Sequence, residues 1–341
     1  MEKDEILMQR CLQLAANGLG MTYPNPMVGC VIVHQNRIIA EAWHQKAGEG
    51  HAEFHAIHQV KDKALLKEAT LYVSLEPCAH HGKTPPCADL IIEHQIPRVV
   101  IATADPFSKV NGLGIRKLKE AGIAVTINVL EKEAQFLNRR FITFHQSQRP
   151  YIILKWAQTK DEKMATTSGE QKWITNAYSK QLVHKWRTEE QGILVGTHTA
   201  QFDNPQLNAR LWNGKQPIRM VLDRELKLRE DLHLFDGSQR TLVFTEIEKE
   251  NRTNLEYIKI NFDENIIQSI LHKMYALNVQ SLIVEGGKRL LESFIQAELW
   301  DEARILTANE SWGNGVSAPK INGDLHQQFS LDTDHLSIYI Q

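Results

Sequence analysis

Apolar side chains recur at helical spacing near the start of the chain (Ile6, Leu7, Cys11, Leu14, Ala15), and the stripe stops at Gly18 to Gly20, so a first helix is predicted there. The pattern then changes. Val28-Gly29-Cys30-Val31-Ile32-Val33 is a continuous apolar run rich in β-branched residues, which predicts a buried strand, and Gln35-Asn36 turns the chain into a second strand from Ile38 to Trp43. Phe54, Ile57, His58, Lys61 and Leu65 return to helical spacing and predict one helix over His51 to Leu66. Strands are expected at Thr70–Leu75, Arg98–Ala102 and Ile123–Val129. Helices are expected from Cys87 and over Leu113–Ala121. Strand and helix alternating with short turns predict a three-layer α/β/α domain that ends near His145.

Gln146-Ser147-Gln148-Arg149-Pro150 reads as a polar linker, and a second α/β domain follows it. Its expected strands are Tyr151–Ala157, Gly192–Gly196, Ile218–Leu222, Thr241–Thr245, Ser281–Glu285 and a terminal region that includes Ala303–Leu306. Ala177–Arg187 is an amphipathic helix through Leu182, Val183 and Trp186, and Leu290–Ala297 is another. The expected organisation is therefore residues 1–145, a linker at 146–150, and residues 151–341.

Composition narrows the class of function. A chain of 341 residues with 42% hydrophobic and 23% charged residues can build two ordinary cores. A net charge of -2 argues against a protein that grips nucleic acid through its phosphates. No apolar run approaches the length of a membrane span, and Met1-Glu2-Lys3-Asp4-Glu5 has no apolar core of a signal peptide. Four cysteines are too few for a disulfide scaffold and fit a reducing compartment, so a cytoplasmic enzyme is expected.

The chemistry concentrates between His51 and Cys87. His51-Ala52-Glu53, Pro77-Cys78 and Pro86-Cys87 offer one imidazole and two thiolates, ligands of the kind zinc prefers. Three protein ligands leave a tetrahedral position for water, and Glu53, two residues from the ligand histidine, is free to carry protons. That is the arrangement of a zinc deaminase, although the second cysteine follows the first by nine positions and not three. A structural zinc is the rival reading, with His80 or His81 as a fourth ligand. The loop carrying those histidines and Lys83 is either a spacer or a substrate lip. Asn25, between Pro24 and Pro26, either stiffens a turn or aims its amide at a ring edge. Val284-Glu285-Gly286-Gly287-Lys288 runs from a strand through a glycine pair into a helix, either a tight turn or an anion site for a pyrophosphate. No G-x-G-x-x-G is present, so a Rossmann site is not supported.

Thr22-Tyr23-Pro24-Asn25-Pro26-Met27-Val28-Gly29-Cys30, Gly50-His51-Ala52-Glu53 and Glu76-Pro77-Cys78 through Pro85-Pro86-Cys87 resemble the bifunctional RibD family of riboflavin biosynthesis. The resemblance implies a cytidine-deaminase-like domain followed by a dihydrofolate-reductase-like domain. It implies zinc on His51, Cys78 and Cys87, with Glu53 as proton carrier. In the second half, Ala157, Trp173, Thr199, Asp203 and the turn at Gly287 and Lys288 are expected to face NADPH. Asn25 in the first half, and Lys155, Arg187, Leu207, Arg210 and Glu285 in the second, are expected to face the substrate. The implied partner is a small pyrimidine ribotide, with no nucleic acid and no membrane; a homo-oligomer is left open.

The chain departs from the family at Phe107 to Asn111, at Glu162 where relatives carry glycine, at Gln171, and at Asn204 where they carry a second aspartate. Two alternatives follow: a deaminase of this pathway with an impaired reductase, or a nucleoside or tRNA deaminase with an unrelated second domain.

Overall fold

The computed structural model describes residues 2–79, 85–106, 112–167 and 173–341. The chain divides into two compact units, Met1–Gln148 and Arg149–Gln341. In the first, α1 (Lys3–Ala16) leads to β1 (Gly29–His34), β2 (Arg37–Trp43), α2 (Ala52–Gln59), β3 (Thr70–Val73), α3 (Cys87–Glu93), β4 (Arg98–Ile101), α4 (Leu113–Glu120), β5 (Ala124–Thr126), α5 (Glu131–Leu137) and α6 (Arg139–Ser147). The sheet order is β2-β1-β3-β4-β5, with β1 antiparallel to both neighbours and β3, β4 and β5 parallel.

Strand alternation explains the layers. Cys30 and Ile32 pack with Ala52, Ala56, Ile91 and Leu118 on one face of the sheet, while Val31 and Val33 pack with Met8, Cys11 and Ala134 on the other. Both faces are covered, so the strand has no polar alternation to show. Gly29 is required where β1 passes α1, because a Cβ there would lie 2.0 Å from the Cys11 carbonyl oxygen.

Two expectations are corrected here. The helix from His51 ends at Gln59, and a separate 3-10 turn, Lys63–Glu68, follows, capped when Asp62 accepts from the Ala64 N–H at 3.0 Å. An aspartate that offers the backbone its own bond breaks helices, and here it outcompetes the apolar spacing. Residues 146 and 147, expected to open a linker, close α6 instead, which stops at a left-handed Gln148.

The second unit contains β6 (Tyr151–Gln158), β7 (Lys163–Ala165), α7 (Ala177–Glu189), β8 (Gly192–Val195), α8 (Thr197–Asp203), β9 (Ile218–Leu222), β10 (Thr241–Thr245), β11 (Leu255–Lys259), α9 (Ile266–Ala276), β12 (Ser281–Glu285), α10 (Lys288–Gln296), β13 (Glu302–Thr307), β14 (Val316–Ser317), β15 (Asp324–Leu331) and β16 (Asp334–Ile340). A nine-stranded sheet has the order β11-β10-β9-β8-β12-β6-β13-β16-β15. It is parallel from β11 to β13 and antiparallel beyond, while β7 and β14 form a small separate pair. Even-numbered residues of β6 face α9 and α10, through Ile270, Leu291 and Phe294. Odd-numbered ones face α7 and α8, through Val183, Trp186 and Ala200. Among the described residues no helix is long and apolar enough to cross a membrane.

Candidate active sites

The first site forms where α2 and α3 begin. His51 is the N-cap of α2, and Cys87 is the first residue of α3. Cys78 arrives on the turn after β3, which is held down from behind. The buried Glu76 carboxylate accepts backbone N–H bonds from Gly114 (2.8 Å), Gly112 (3.0 Å), Asp105 (3.2 Å) and Ile115 (3.2 Å). Gly114 must be glycine for this approach, since a Cβ would lie 1.9 Å from the Pro77 carbonyl oxygen.

His51 Nδ1 lies 3.5 Å from Cys78 Sγ and 3.4 Å from Cys87 Sγ, and the ligand atoms of all three residues lie within 4.8 Å of one another. Tetrahedral zinc, at about 2.3 Å from sulfur and about 2.0 Å from nitrogen, holds such donors about 3.6 Å apart, so the set fits the ion. The electrostatics fit as well. Hydrogen bonding from the Cys87 thiol, opposed by burial and aided by His51, pulls Cys78 well below the usual thiol range, while Cys87 itself is pushed up. The pair shares one proton that a bound cation would displace. His80 and His81, offered as a fourth ligand, and Lys83 lie outside the described residues.

Glu53, 3% exposed, sits in the first turn of α2. Burial pushes its carboxyl up to about 7, against the pull of His51. Asn25 does aim its amide at a ring, but at a protein ring. His44 Nδ1–H donates to the Gly50 carbonyl at 3.0 Å, so Nε2 accepts from Asn25 Nδ2 at 3.1 Å. The His44 ring in turn meets His51 edge-on at 5.3 Å between centroids. His44 was not singled out in the sequence; a lone histidine at a strand end carries no spacing signal, and neither does Glu76. His55 and His58 stay out of the cluster: His58 is exposed and donates to the Phe54 carbonyl at 2.8 Å.

In the second unit, Lys155 on β6 and Glu285 on β12 are partners in register on neighbouring parallel strands, and Arg187 reaches them from α7. Lys155 Nζ donates to Glu285 Oε1 at 3.0 Å. Arg187 Nη2 donates to both Glu285 oxygens, at 2.9 and 3.0 Å, and its Nη1 donates to the Asn208 carbonyl at 2.9 Å. Burial drives the Glu285 carboxyl up, but Arg187 and Lys155 outweigh it and hold it at about 2. Arg210 is exposed and donates to Asn208 Oδ1 at 2.9 Å. Leu207 points its side chain into the core with Val183 and Trp186, on a left-handed backbone (φ 50).

The glycine turn after β12 has φ of 102 and 65 at Gly286 and Gly287, and it packs on Thr199. A Cβ on Gly286 would lie 2.9 Å from Thr199 Cγ2. Lys288 begins α10 and pairs with Glu292 at 3.6 Å. Ala157 is half-buried on β6, and Asp203 ends α8 in solvent. Trp173 is exposed, with Lys180 Nζ 4.2 Å above its ring. Two of the departures have local structural roles. Glu162 takes a left-handed turn (φ 60), and Asn204 is a left-handed cap whose Oδ1 accepts from the His233 N–H at 2.8 Å. Gln171 and the stretch Phe107–Asn111 lie outside the described residues.

Comparison with known proteins places both units. Residues 1–103 match the family described as cytidine and deoxycytidylate deaminase zinc-binding region, and residues 150–334 match the RibD C-terminal domain. A riboflavin biosynthesis protein RibD from Aquifex aeolicus is 42% identical over 93% of this chain and 90% of its own length. One from Bacillus amyloliquefaciens is 39% identical over 98% and 91%. Among solved structures, a diaminohydroxyphosphoribosylaminopyrimidine deaminase/5-amino-6-(5-phosphoribosylamino)uracil reductase from Thermotoga maritima superposes with a TM-score of 0.91 at 37% identity, covering 99% of this chain and 98% of its own. Acinetobacter baumannii RibD gives 0.90 at 33%.

Proposed function

This chain belongs to the RibD family of bifunctional riboflavin-biosynthesis enzymes, and from that premise we propose which unit performs each step and which residues carry it. A deaminase half and a reductase half are both present, and the family implies zinc for the first and a nicotinamide cofactor for the second. We assign residues 1–148 to the deaminase and 149–341 to the reductase, the bounds of the two compact units. The substrate is 2,5-diamino-6-ribosylamino-4(3H)-pyrimidinone 5′-phosphate, and its 2-amino group leaves as ammonia when water adds to the ring carbon.

His51, Cys78 and Cys87 hold the zinc, which when bound supplies Lewis-acid activation of water near neutral pH. Glu53 moves the protons. Its carboxyl, buried and two residues from the ligand histidine, can take a proton from the attacking water and return it to the departing amine. Asn25 and His44 orient the substrate ring and the wall beside His51.

In the second unit the cofactor supplies a hydride to ribosyl C1′, which leaves a ribityl chain. We assign NADPH over NADH, with the pyrophosphate on the Gly286-Gly287-Lys288 turn and Ala157, Trp173, Thr199 and Asp203 along the cofactor. Lys155, Arg187, Arg210 and Glu285 form the ribotide face, while Leu207, expected there, turns its side chain into the core and offers the site only its left-handed backbone. Arg187 spends most of its donors on Glu285 and the Asn208 carbonyl, so phosphate recognition falls chiefly to Arg210, which is exposed and gives one N–H to Asn208 Oδ1. Lys155 and water are the two candidate sources of the proton that the reduction consumes.

The observation that carries the proposal is the ligand set of the first unit, three zinc-type donors closed to within 4.8 Å beside a buried carboxyl. Elemental analysis coupled to ammonia release from the ribotide, with and without NADPH or NADH, tests it. One zinc per chain, ammonia release, and NADPH oxidation that follows deamination are expected. Zinc without ammonia leaves only a structural metal, and ammonia without NADPH oxidation confines the activity to the first unit.

A further inference from the structure

The loop that carries Asn25 is held from across the first unit by a residue that none of the assigned roles uses. Asn138 stands at the joint between α5 and α6 and is 2% exposed. Its backbone serves both helices. The N–H donates to the Ala134 carbonyl at 3.1 Å, and the carbonyl accepts from the Ile142 N–H at 3.0 Å. Its side chain turns to a segment 111 residues away, where Oδ1 accepts from the Met27 N–H at 2.8 Å and Nδ2 donates to the Met27 carbonyl at 2.9 Å.

A neighbouring strand would give the same pair of bonds; here one amide gives both. It satisfies the N–H and the carbonyl of a buried residue, which are costly to leave unpaired. The arrangement also selects the residue type. An aspartate can accept from the N–H but turns its second oxygen on the Met27 carbonyl, and an alanine offers neither bond.

The neighbours of Met27 show what the clamp positions. Asn25 lies two residues before it, and its Nδ2 donates to His44 Nε2 at 3.1 Å. Val28 lies one residue after it, and its carbonyl accepts from the His44 N–H at 2.8 Å. Met27 is thus inside a short span whose two ends both bond His44, the ring that stands edge-on to His51.

We propose that Asn138 is a positioning residue of the deaminase. Its amide fixes the Asn25 loop against His44 and so sets the wall that orients the substrate ring. The inference rests on the reading of Asn25 and His44 as that wall.

Ammonia release from the ribotide by the zinc-loaded full chain tests it, with Asn138→Ala, Asn25→Ala and the double variant compared per bound zinc. Asn138→Ala is expected to raise the ribotide KM about 2- to 13-fold, the span of the one neutral hydrogen bond that a displaced Asn25 loses, with kcat unchanged. A residue that acts through Asn25 adds nothing once that side chain is gone, so the double variant should stay within about twofold of Asn25→Ala. Independent effects would multiply instead, and a loss of folded protein would lower kcat and leave KM alone. Asn138→Asp keeps the bond from the Met27 N–H, so it guards against an alanine variant that does not fold, and it is expected to raise KM in the same way. An Asn138 variant with the wild-type KM overturns the proposal if Asn25→Ala is impaired. So do effects that multiply in the double variant, and so do aspartate and alanine variants that both fail to hold zinc, which would make Asn138 a residue of the fold alone. A wild-type KM in Asn25→Ala overturns the reading of the wall and this inference with it.

Discussion

Glu53 and Glu285 are the same side chain, Glu53 buried in the first turn of a helix and Glu285 half-buried at the end of a strand of the other unit, and the protein holds them in opposite states. Burial alone favours the protonated acid. Around Glu53 burial dominates: His51 pulls the carboxyl down, the Cys78 thiolate pushes it up, and the balance rests at about 7. Around Glu285 two fixed cations dominate, Lys155 at 3.0 Å and Arg187 through its forked head, and the carboxylate stays ionised down to about 2. One environment makes a group that can carry a proton at neutral pH; the other makes a permanent anion that shapes a site. Separated pKa values assign roles that residue type cannot.

The largest break in that comparison is Glu53→Gln. The amide keeps the shape and cannot shuttle a proton, so ammonia release is expected to fall about 10²–10⁴-fold, the usual contribution of a positioned acid–base group. NADPH oxidation on supplied deaminated ribotide stays at the wild-type rate, because the residue belongs to the other unit. Full ammonia release in this variant would remove Glu53 from the proton path.

Arg187→Met acts on the second carboxylate. It leaves Glu285 half-buried and still paired with Lys155, so what is lost is the forked Arg187 contact, about 1.5–3 kcal/mol for hydrogen bonds to a charged group. Urea unfolding of the second unit should record a loss of that order. Arg187→Met combined with Glu285→Gln should be less stable still, because Lys155 then loses the carboxylate it pairs with at 3.0 Å. A double variant more stable than Arg187→Met alone would mean that charge pairing is not what holds this cluster.

A pH titration of stability separates the two carboxylates without mutation. Glu285 has a folded pKa near 2, below its ordinary 4.5, so its contribution is present in full above about pH 4.5 and is lost as the pH falls through 2. At 1.36 kcal/mol per unit that is on the order of 3 kcal/mol. Glu53 has the opposite sign. Its folded pKa near 7 lies above 4.5, so in the metal-free protein its contribution is present below pH 4.5 and fades as the pH rises through 7. Two unfolding transitions that shift in opposite pH windows are expected. A single shared acid window would contradict the assignment.

The sequence showed one member of this comparison better than the other. His51, Glu53, Cys78 and Cys87 lie within a short stretch whose spacing is itself chemical, and the strands that aim them are continuous apolar runs. The elements missed there, α5 and α6, have half-polar faces, and β15 is exposed along nearly its whole length, so neither leaves an apolar rhythm to read. Lys155, Arg187 and Glu285 are scattered over β6, α7 and β12, and only the parallel register brings them together. Resemblance to relatives named them; spacing alone could not. His44 and Glu76 were missed for a related reason: each acts through contacts with backbone or with residues distant in the chain.

Asn25→Ala makes the smallest change and tests the neutral character of the first site. The Gly50 carbonyl holds the proton on His44 Nδ1, so Nε2 has only a lone pair to offer and needs a donor, which Asn25 supplies. Losing one neutral hydrogen bond costs about 0.5–1.5 kcal/mol, roughly a 2- to 13-fold fall in kcat/KM for ammonia release. Asn25→Asp cannot help, because an ionised carboxylate has no proton to give and would pair only with a charged His44. The aspartate variant should therefore be at least as slow as the alanine variant near neutral pH, with NADPH oxidation unaffected in both. If aspartate restores the wild-type rate, the His44 ring next to His51 is charged in the working enzyme, and the contrast between a proton-carrying site and an ion-paired one would have to be drawn elsewhere.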